Sequence, residues 1–366
     1  MKILLAIDSA TMGGAQNVFF SCVKELLVRE HELVTVVSSG SLADLLKASK
    51  VNCYIVDYSS LKSLQSIFRI LKREKVDVIN TYLTRCSLLF ALVNIFYRIP
   101  LCCTLLNAII HEKMKRWQMY VYPFFYHLLH RFCDGIIVNS SQNKDHFVEV
   151  AKMRPNRVKV IYSGIDDKEV VGIPRQERSG KQFIIGTVGR LSPEKGQRYL
   201  VEALKCLKEI DYRCIVIGDG PLREELLGQV EASGLSEKVE FLGFRGDVLQ
   251  LMQNMDIVVV PSVNETFGIT IVEAFASKKI VIASTAGGIP ELVKHGVTGF
   301  LFPVGDSLAL SEEISYVFSN KDKTKEVIGE AYDFYRQNFT STIMVDNTLN
   351  YYETIANKNV VIGDVS

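Results

Sequence analysis

The sequence predicts an α/β protein built from two parallel sheets, and two observations lead to this fold class. Short runs rich in Val, Ile and Leu alternate with helix-like segments along the whole chain, as in repeated βαβ units. The chain has 366 residues, of which 48% are hydrophobic, and this length exceeds what one core usually serves. We therefore expect two similar α/β domains in series, each with crossover helices on a parallel sheet.

The predicted strands form a set of seven and a set of six. The first set is 3–7, 33–38, 53–56, 76–80, 101–105, 136–139 and 158–161, and the second is 183–188, 213–217, 239–241, 257–260, 280–283 and 299–302. Residues 166–181 lack apolar periodicity and are typical of a linker. We expect domains at 1–165 and 182–339 and a helix in 340–366. Ligands of such sheets bind at the carboxyl ends of the strands, so a shared ligand would occupy a central cleft.

Composition argues against several classes of protein. The chain carries 42 basic and 41 acidic residues, a net charge of +1, which argues against a nucleic-acid partner. Its eight cysteines include no Cys-x-x-Cys pair, so neither a zinc cage nor a disulfide framework is expected. The first apolar run is too short for a signal peptide, and the longest, 86–97, is shorter than the roughly 18 residues of a membrane span. We expect a cytoplasmic protein with reduced thiols.

Residues 261–276 carry the strongest functional signal. The preceding run, 257–260, is predicted as a buried strand, and the residues after Gly268 are predicted as a helix. The apolar face of this helix is predicted to consist of Ile269, Val272 and Ala276. Glu265 then lies in the loop between strand and helix, and Glu273 lies about one turn into the helix.

This arrangement suits a nucleotide-sugar. The free amides of a helix start attract phosphate, and the two glutamates would offer acceptors for sugar hydroxyls on either side of it. Acids near a helix N-terminus are also common for a purely electrostatic reason. The two glutamates alone therefore leave an ordinary solvated helix start open as the alternative.

Further polar and glycine-rich loops follow other predicted strands. Arg190 and Lys195 come after 183–188 and could bind phosphate through a planar fork and a point charge, although a merely basic loop remains the alternative. The Gly-Asp-Gly-Pro sequence at 218–221 is best explained as a tight turn. Glycines 287–288 permit a close backbone approach.

Gly13 and Gly14 follow the first predicted strand and open a helix. The loop is a second candidate for contact with phosphate. It does not match Gly-x-Gly-x-x-Gly, so a dinucleotide fingerprint is not present.

Together these elements resemble glycosyltransferase family 4, a family of retaining enzymes with the GT-B fold. The matching motifs occur in order: Gly-Arg-Leu-Ser-Pro-Glu-Lys-Gly at 189–196, Gly-Asp-Gly-Pro at 218–221, Glu-x7-Glu at 265–273, Gly-Gly-Ile-Pro-Glu at 287–291 and Gly-Val-Thr-Gly-Phe-Leu at 296–301. The resemblance spans nearly the whole chain and is strongest over 183–304. It implies two Rossmann-like domains facing a central cleft and a last helix that returns to the first domain.

The resemblance also implies a role for each candidate residue. Arg190 and Lys195 would hold the diphosphate of the donor, Glu273 the ribose hydroxyls, and Glu265 the transferred sugar. The amides of Phe267, Gly268 and Ile269 would meet phosphate or sugar oxygens, and Gly13 and Gly14 would approach the donor from the N-terminal domain. Glu265, Arg190 and Lys195 are the candidate catalytic residues.

The expected reaction transfers a sugar from a nucleoside-diphosphate sugar, such as a UDP-sugar, to a hydroxyl acceptor. The acceptor is expected in surface polysaccharide, lipopolysaccharide or glycolipid synthesis. Because the leaving group is a phosphate that cations and helix amides can stabilise, and because the sequence lacks a cluster with metal-ligand spacing, we expect no metal and no cofactor. Two alternatives stay open: a nucleotide-sugar epimerase on the same fold, and a non-catalytic nucleotide-sugar-binding protein.

The N-terminal half departs from the family pattern. Leu106 stands where the family often has a histidine, and His111 lies nearby but out of register. Ser163 stands where an asparagine is common. These departures concern the acceptor side and leave the donor residues untouched.

The segment 113–132 combines four Lys or Arg residues with seven aromatic residues and no acid. Such a composition suits an interface with anionic lipid at the inner face of the cell membrane and, with it, a lipid-linked acceptor. The alternative is a helix pair that packs its rings in the core. Lys113, Lys115, Arg116 and Trp117 are the side chains expected at the lipid surface.

Overall fold

The computed structural model describes residues 1–9, 13–60, 62–106, 118–166 and 182–363. It divides the chain into two compact units, Met1–Ile165 with Ser341–Ser366 and Asp166–Thr340. The predicted linker therefore lies outside the described residues except for Asp166. Each unit has its own parallel sheet, as the sequence predicts.

The first unit is built on a seven-stranded sheet in the order β3-β2-β1-β4-β5-β6-β7. Its strands are β1 (Lys2–Ile7), β2 (Glu32–Val37), β3 (Asn52–Ile55), β4 (Val78–Tyr82), β5 (Leu101–Leu105), β6 (Gly135–Val138) and β7 (Val158–Val160). All neighbouring pairs are parallel. Every strand predicted in this half is confirmed, and no end differs from the predicted one by more than two residues.

The helices of the first unit connect these strands. They are α1 (Gly14–Val28), α2 (Ser41–Ala48), α3 (Lys62–Glu74), α4 (Thr84–Asn94), α5 (Gln118–Phe132) and α6 (Ser141–Val150), with a 3-10 turn at Pro155–Arg157. Helix α4 packs against both α3 and α5. Side chains of α3, α4, α5 and α6 share one core with the sheet, including Ile67, Phe90, Leu129 and Phe147.

The second unit has a six-stranded parallel sheet in the order β10-β9-β8-β11-β12-β13. Its strands are β8 (Phe183–Val188), β9 (Tyr212–Ile217), β10 (Val239–Gly243), β11 (Ile257–Val260), β12 (Ile280–Ser284) and β13 (Phe300–Phe302). Its helices are α7 (Gln197–Leu204), α8 (Arg223–Ala232), α9 (Val248–Met252), α10 (Ile269–Ala276), α11 (Ile289–Leu292), α12 (Ser307–Ser319) and α13 (Lys321–Asn338), with a 3-10 turn at Pro193–Lys195. All six predicted strands of this half are confirmed.

The last helix, α14 (Ser341–Gly363), belongs to the first unit. It packs on α1, where the Arg29 guanidinium lies 2.6 Å from the Asp346 carboxylate and donates to the Thr342 carbonyl. The Tyr352 hydroxyl accepts a 2.7 Å hydrogen bond from Asn80 of β4 in the buried core. The chain therefore forms the first unit from both of its ends.

The longest apolar stretch predicted from the sequence forms α4 and the turn after it. Within the described ranges, none of the helices combines the length and the hydropathy that a membrane span requires.

Candidate functional site

Four loops of the second unit lie at one edge of its sheet. Strands β9, β8, β11 and β12 are consecutive neighbours and parallel, so the loops after them emerge side by side. These loops are 218–221, 189–196, 261–268 and 285–288. The sequence places each motif at the end of a strand, and the strand order adds that the motifs are adjacent.

Lys195 and Glu265 form a direct ion pair at this edge. The Lys195 ammonium donates to Oε2 of Glu265 over 2.5 Å. The Glu265 side chain is only 11% exposed and that of Lys195 is 31% exposed. The Ser262 hydroxyl lies 3.4 Å from the same carboxylate oxygen. The pairing was not predicted, because the two residues are 70 positions apart and were expected to bind different parts of one ligand.

Backbone contacts hold the Lys195 turn against the Glu265 loop. The amides of Val263 and Asn264 donate to the Glu194 carbonyl over 2.8 and 3.2 Å. Gly196 has φ +66°, and a Cβ there would lie 2.0 Å from the Pro261 carbonyl oxygen. Only glycine fits at this approach, so the glycine that ends the motif at 189–196 fixes the distance between the two loops.

The pKa of the Glu194 carboxyl group indicates that this region favours negative charge. Burial opposes its ionisation, but a 2.6 Å hydrogen bond from the Ser192 hydroxyl and the charges of Lys195 and Arg190 hold the pKa of Glu194 below its ordinary value. A carboxylate is thus stabilised as an anion beside the two basic residues. The same field would favour the negative charge of a phosphate.

Arg190 presents an exposed side chain on a fixed backbone. Its carbonyl accepts a 3.0 Å hydrogen bond from the Gln197 side chain, and the flanking Gly189 and Leu191 amides donate to residues 217 and 219. The Arg190 guanidinium is therefore exposed at the sheet edge, while hydrogen bonds hold the main chain on which it stands.

The Gly-Asp-Gly-Pro loop packs closely against the loop that carries Arg190. A Cβ on Gly218, which has φ +133°, would lie 1.9 Å from the Gly189 carbonyl oxygen, and a Cβ on Gly220 would lie 2.4 Å from that of Leu191. The glycines thus let this loop approach the Arg190 loop closely, a structural role that differs from the tight turn expected from the sequence.

Helix α10 begins at this edge behind Gly268, whose φ of +100° suits glycine. The Phe267 ring is 2% exposed and packs edge-on against Phe339 with centroids 6.0 Å apart. Phe267 can therefore offer a ligand only its backbone. The side chains of Ile269 and Glu273 are half-buried on the helix. As a general rule, the first backbone amides of a helix have no hydrogen-bond acceptor within the helix.

The predicted apolar face of α10 is wrong in part. Ile269 is only half-buried, whereas the helix buries Ile271, Val272, Ala274, Phe275 and Ala276. The reason is that α10 packs against β11 and β12 and also against α13. A helix covered on several sides does not show a single apolar stripe.

The end of β12 and the loop after it are bonded to the Glu265 loop by hydrogen bonds that the sequence did not reveal. The Gly288 amide donates to the Glu265 carbonyl over 2.9 Å, and the Ser284 hydroxyl donates to the Ser262 carbonyl over 2.5 Å. Gly287 has φ +53°, a conformation that favours glycine, while the predicted close backbone approach at 287–288 stays a prediction. Ser262 and Ser284 are nearly inaccessible, and no signal beyond their position after a strand could have identified them.

In the first unit, Gly13 directly precedes α1 with φ −172°, an extended conformation that any residue adopts. A Cβ there would lie 3.2 Å from the Gln16 side chain. Gly14 is exposed at the first position of the helix. The loop residues 10–12 before them lie outside the described part, and contact of Gly13 and Gly14 with the donor stays a prediction.

The acceptor-side expectations are only partly described. Leu106 and Ser163 are buried, while His111, Lys113, Lys115, Arg116 and Trp117 lie outside the described residues. Helix α5 covers the rest of 113–132. It buries Tyr126 and Leu129 and exposes Phe124, Phe125 and Phe132, so its two faces correspond to the two alternatives drawn from the sequence.

In the described part of the chain, a group of three or more His, Cys, Asp or Glu side chains that could hold a metal ion does not occur. Metal-independent chemistry stays a prediction.

Comparison with known proteins identifies the family. A sequence model described as Glycosyltransferase Family 4 matches residues 12–169, and one described as Glycosyl transferases group 1 matches residues 173–334. The crystal structure of the Anabaena protein HepE in complex with UDP-glucose has a TM-score of 0.86 and 27% sequence identity, and the match covers 97% of this chain and 100% of that one.

Two curated relatives illustrate the range of similarity. An uncharacterised glycosyltransferase of Methanocaldococcus jannaschii is 31% identical over 236 residues, so the match spans 60% of this chain and 60% of that relative. The UDP-Gal:alpha-D-GlcNAc-diphosphoundecaprenol alpha-1,3-galactosyltransferase of Escherichia coli is 25% identical over 311 residues, with 77% of this chain and 79% of that one covered. Because the two family models match in order along most of the sequence and the fold agrees over nearly its whole length, the chain belongs to glycosyltransferase family 4, a family of sugar-transferring enzymes with the GT-B fold.

Proposed function

We propose that this protein is a retaining glycosyltransferase that moves a sugar from a nucleoside-diphosphate sugar to a hydroxyl acceptor. The observation that carries this proposal is the Lys195–Glu265 ion pair beside the exposed Arg190 and the start of α10. Cations and helix amides suit a diphosphate, and carboxylates suit sugar hydroxyls. Both kinds of group meet at the carboxyl edge of one parallel sheet, where such ligands bind.

The chemistry follows from charge. As the bond between the anomeric carbon and the leaving phosphate breaks, negative charge grows on the diphosphate, and Arg190, Lys195 and the amides of Phe267, Gly268 and Ile269 stabilise it. Glu265 holds the sugar and Glu273 the ribose hydroxyls. The acceptor oxygen bonds to the anomeric carbon on the face that the phosphate leaves, and its proton goes to the leaving phosphate. This route uses no metal ion or cofactor.

We propose UDP as the nucleotide and a lipid-linked acceptor. The 27% identical Anabaena protein is described in complex with UDP-glucose, and the Escherichia coli relative is named for transfer to a diphosphoundecaprenol-linked sugar. An acceptor with a polyprenyl chain lies in a membrane, so the protein would work at the cytoplasmic face of an anionic bilayer. The exposed phenylalanines of α5 support such a contact.

An epimerase on the same fold would act on the donor alone. The two processes differ in one observable, because a transferase releases nucleoside diphosphate faster when an acceptor is added. The relatives reported above are named for glycosyl transfer, and none of the geometry favours epimerisation.

The test is a panel of nucleoside-diphosphate sugars. We expect UDP-sugars to raise the melting temperature and to be hydrolysed slowly without acceptor. Glu273→Ala should weaken donor binding by about 1.5–3 kcal/mol, because the ribose loses a charged acceptor. The control is Glu225→Ala, an exposed acid in the first turn of α8. Absence of binding by every nucleotide-sugar, or equal affinities of the two variants, would contradict the proposal.

A further inference from the structure

The first unit exposes an apolar surface that the proposed site of the second unit does not use. Four large side chains of α3, α4 and the turn after α4 reach solvent: Phe68 at 41%, Leu92 at 50%, Ile95 at 50% and Phe96 at 77% exposure. We call these four residues the α3–α4 patch. The rings of Phe68 and Phe96 lie 6.3 Å apart edge to face, so the patch joins the two elements.

The core does not account for these side chains. Helix α4 already buries Cys86, Phe90, Ala91 and Val93 on its inner side, which leaves Leu92 on the outside. The Tyr97 hydroxyl donates to the Phe68 carbonyl over 2.9 Å and fixes the turn that presents Ile95 and Phe96. Grouped, exposed apolar side chains in a soluble fold mark an interaction surface.

The elements that form the patch carry many positive charges. Exposed basic residues of α3, of the first turn of α4 and of the segment after α4 are Lys62, Arg69, Lys72, Arg73, Arg85 and Arg98. The acids of 62–100 are Glu74 and Asp77. Glu74 is buried with the Lys2 ammonium 3.0 Å away, and Asp77 accepts from the Lys2 amide. Because the chain as a whole has a net charge of only +1, this concentration is local.

We propose that the α3–α4 patch docks the protein on an anionic lipid bilayer, with the apolar side chains in the interfacial layer and Arg69, Lys72 and Arg98 against lipid phosphates. Phenylalanine and leucine beside lysine and arginine are the composition of interfacial surfaces. Each basic residue adds attraction to anionic lipid. A second copy of the same patch would bring like charges together, which disfavours self-association through this surface.

This surface extends the membrane contact proposed above to residues outside 113–132, and it rests on its own observations. Helix α4 packs between α3 and α5, so the patch and the exposed Phe124 and Phe125 belong to one layer of helices. The inference therefore predicts a broad lipid-facing side of the first unit rather than a single inserted segment.

The experiment uses the full chain and vesicles of phosphatidylcholine with or without 30% phosphatidylglycerol, at low salt. We expect co-sedimentation with the anionic vesicles only. Leu92→Ser with Phe96→Ser should weaken binding at least tenfold, and Arg69→Gln with Lys72→Gln by roughly fivefold per charge. The matched controls are Phe244→Ser, an exposed phenylalanine of the second unit, and Lys47→Gln with Lys208→Gln, which are also exposed.

The outcomes separate the alternatives. Patch variants that bind like the controls, or a wild-type chain that does not bind anionic vesicles, would overturn the proposal. Sedimentation velocity of a wild-type dimer that Leu92→Ser with Phe96→Ser dissociates would identify a protein interface instead. Donor binding is measured separately in the same variants and should be unchanged. A wild-type chain that binds vesicles but no nucleotide-sugar would reject the proposed reaction and leave the docking surface intact.

Discussion

The ion pair between Lys195 and Glu265 can hold the lysine ready for a phosphate ligand, although phosphate and Glu265 are both negatively charged. An ammonium group has three donors, and Lys195 gives one of them to Glu265. In the proposed site the lysine would thereby be aligned before a diphosphate binds, and its other donors would serve phosphate oxygens. Glu265 in turn is bonded at its carboxylate to Lys195 and at its carbonyl to the Gly288 amide. Such support from several directions is what a precise site requires.

The first prediction concerns this pair. Lys195→Met and Glu265→Gln should each lower turnover strongly, and the double variant should be less impaired than the sum of the two effects, because each residue acts partly through the other. In thermal or chemical unfolding, groups in contact show coupling of about 0.5–3 kcal/mol. A double-mutant cycle on stability and on kcat/KM measures both.

The matched control is the exposed pair Arg213 and Glu240, which are 2.8 Å apart with side chains 50% and 43% exposed. Exposed pairs contribute about 0–1 kcal/mol, so Arg213→Met and Glu240→Gln should leave turnover unchanged. Strictly additive effects at Lys195 and Glu265 would mean that the pair does not act as a unit.

At the scale of elements, glycines set how closely the site loops approach. The loops after β8 and β9 touch through main-chain atoms because Gly218 and Gly220 lack side chains. The loops after β8 and β11 touch in the same way at Gly196. These main-chain contacts do not depend on the neighbouring side chains, but they fix the backbone positions of Arg190 and Lys195.

The second prediction tests this role of glycine. Gly218→Ala should destabilise the second unit by about 3 kcal/mol or more, because a Cβ would meet the Gly189 carbonyl oxygen at 1.9 Å in a conformation with φ +133°. Gly234→Ala is the control. It also has a positive φ of +67° but no atom within 4 Å of its Cβ, so only the conformational cost of about 1–2 kcal/mol applies. Equal losses of stability in urea unfolding would show that the close approach contributes nothing.

The same elements show what the sequence could and could not predict. Buried parallel strands appear as continuous apolar runs, and so all thirteen strands were found within two residues of their ends. The order of the strands is not encoded in any local pattern. For that reason the contacts of Lys195 with Glu265 and of Ser284 with Ser262 were missed, and so was the exposure of Phe96 beside Phe68, which depends on how α3 meets the turn after α4.

At the scale of the whole molecule, the two units have separate cores, and the first unit contains both ends of the chain. Helix α14 supplies Val345, Tyr352 and Ile355, each at most 1% exposed. The Tyr352 hydroxyl is the partner of the buried Asn80 amide, whose oxygen accepts from Thr104. A lost partner at a buried polar group costs about 1–3 kcal/mol beyond the lost packing.

The last prediction follows from this division. A chain ending at Thr340 loses these three side chains as well as the buried Met344 and Tyr351. Their burial contributes roughly 5 kcal/mol or more, a large share of the 5–15 kcal/mol that is typical of total stability. We expect hydrogen exchange to show that amides of β1 and β4 lose most of their protection while those of β8 and β11 keep theirs, since α14 belongs to the first unit and bonds to Asn80 of β4. A chain ending at Asn357 retains Val345, Tyr352 and Ile355 and should keep protection in both sheets. Loss of protection in both units of the shorter chain would show that the second core depends on the first. Unchanged protection in both would show that α14 does not stabilise the first unit.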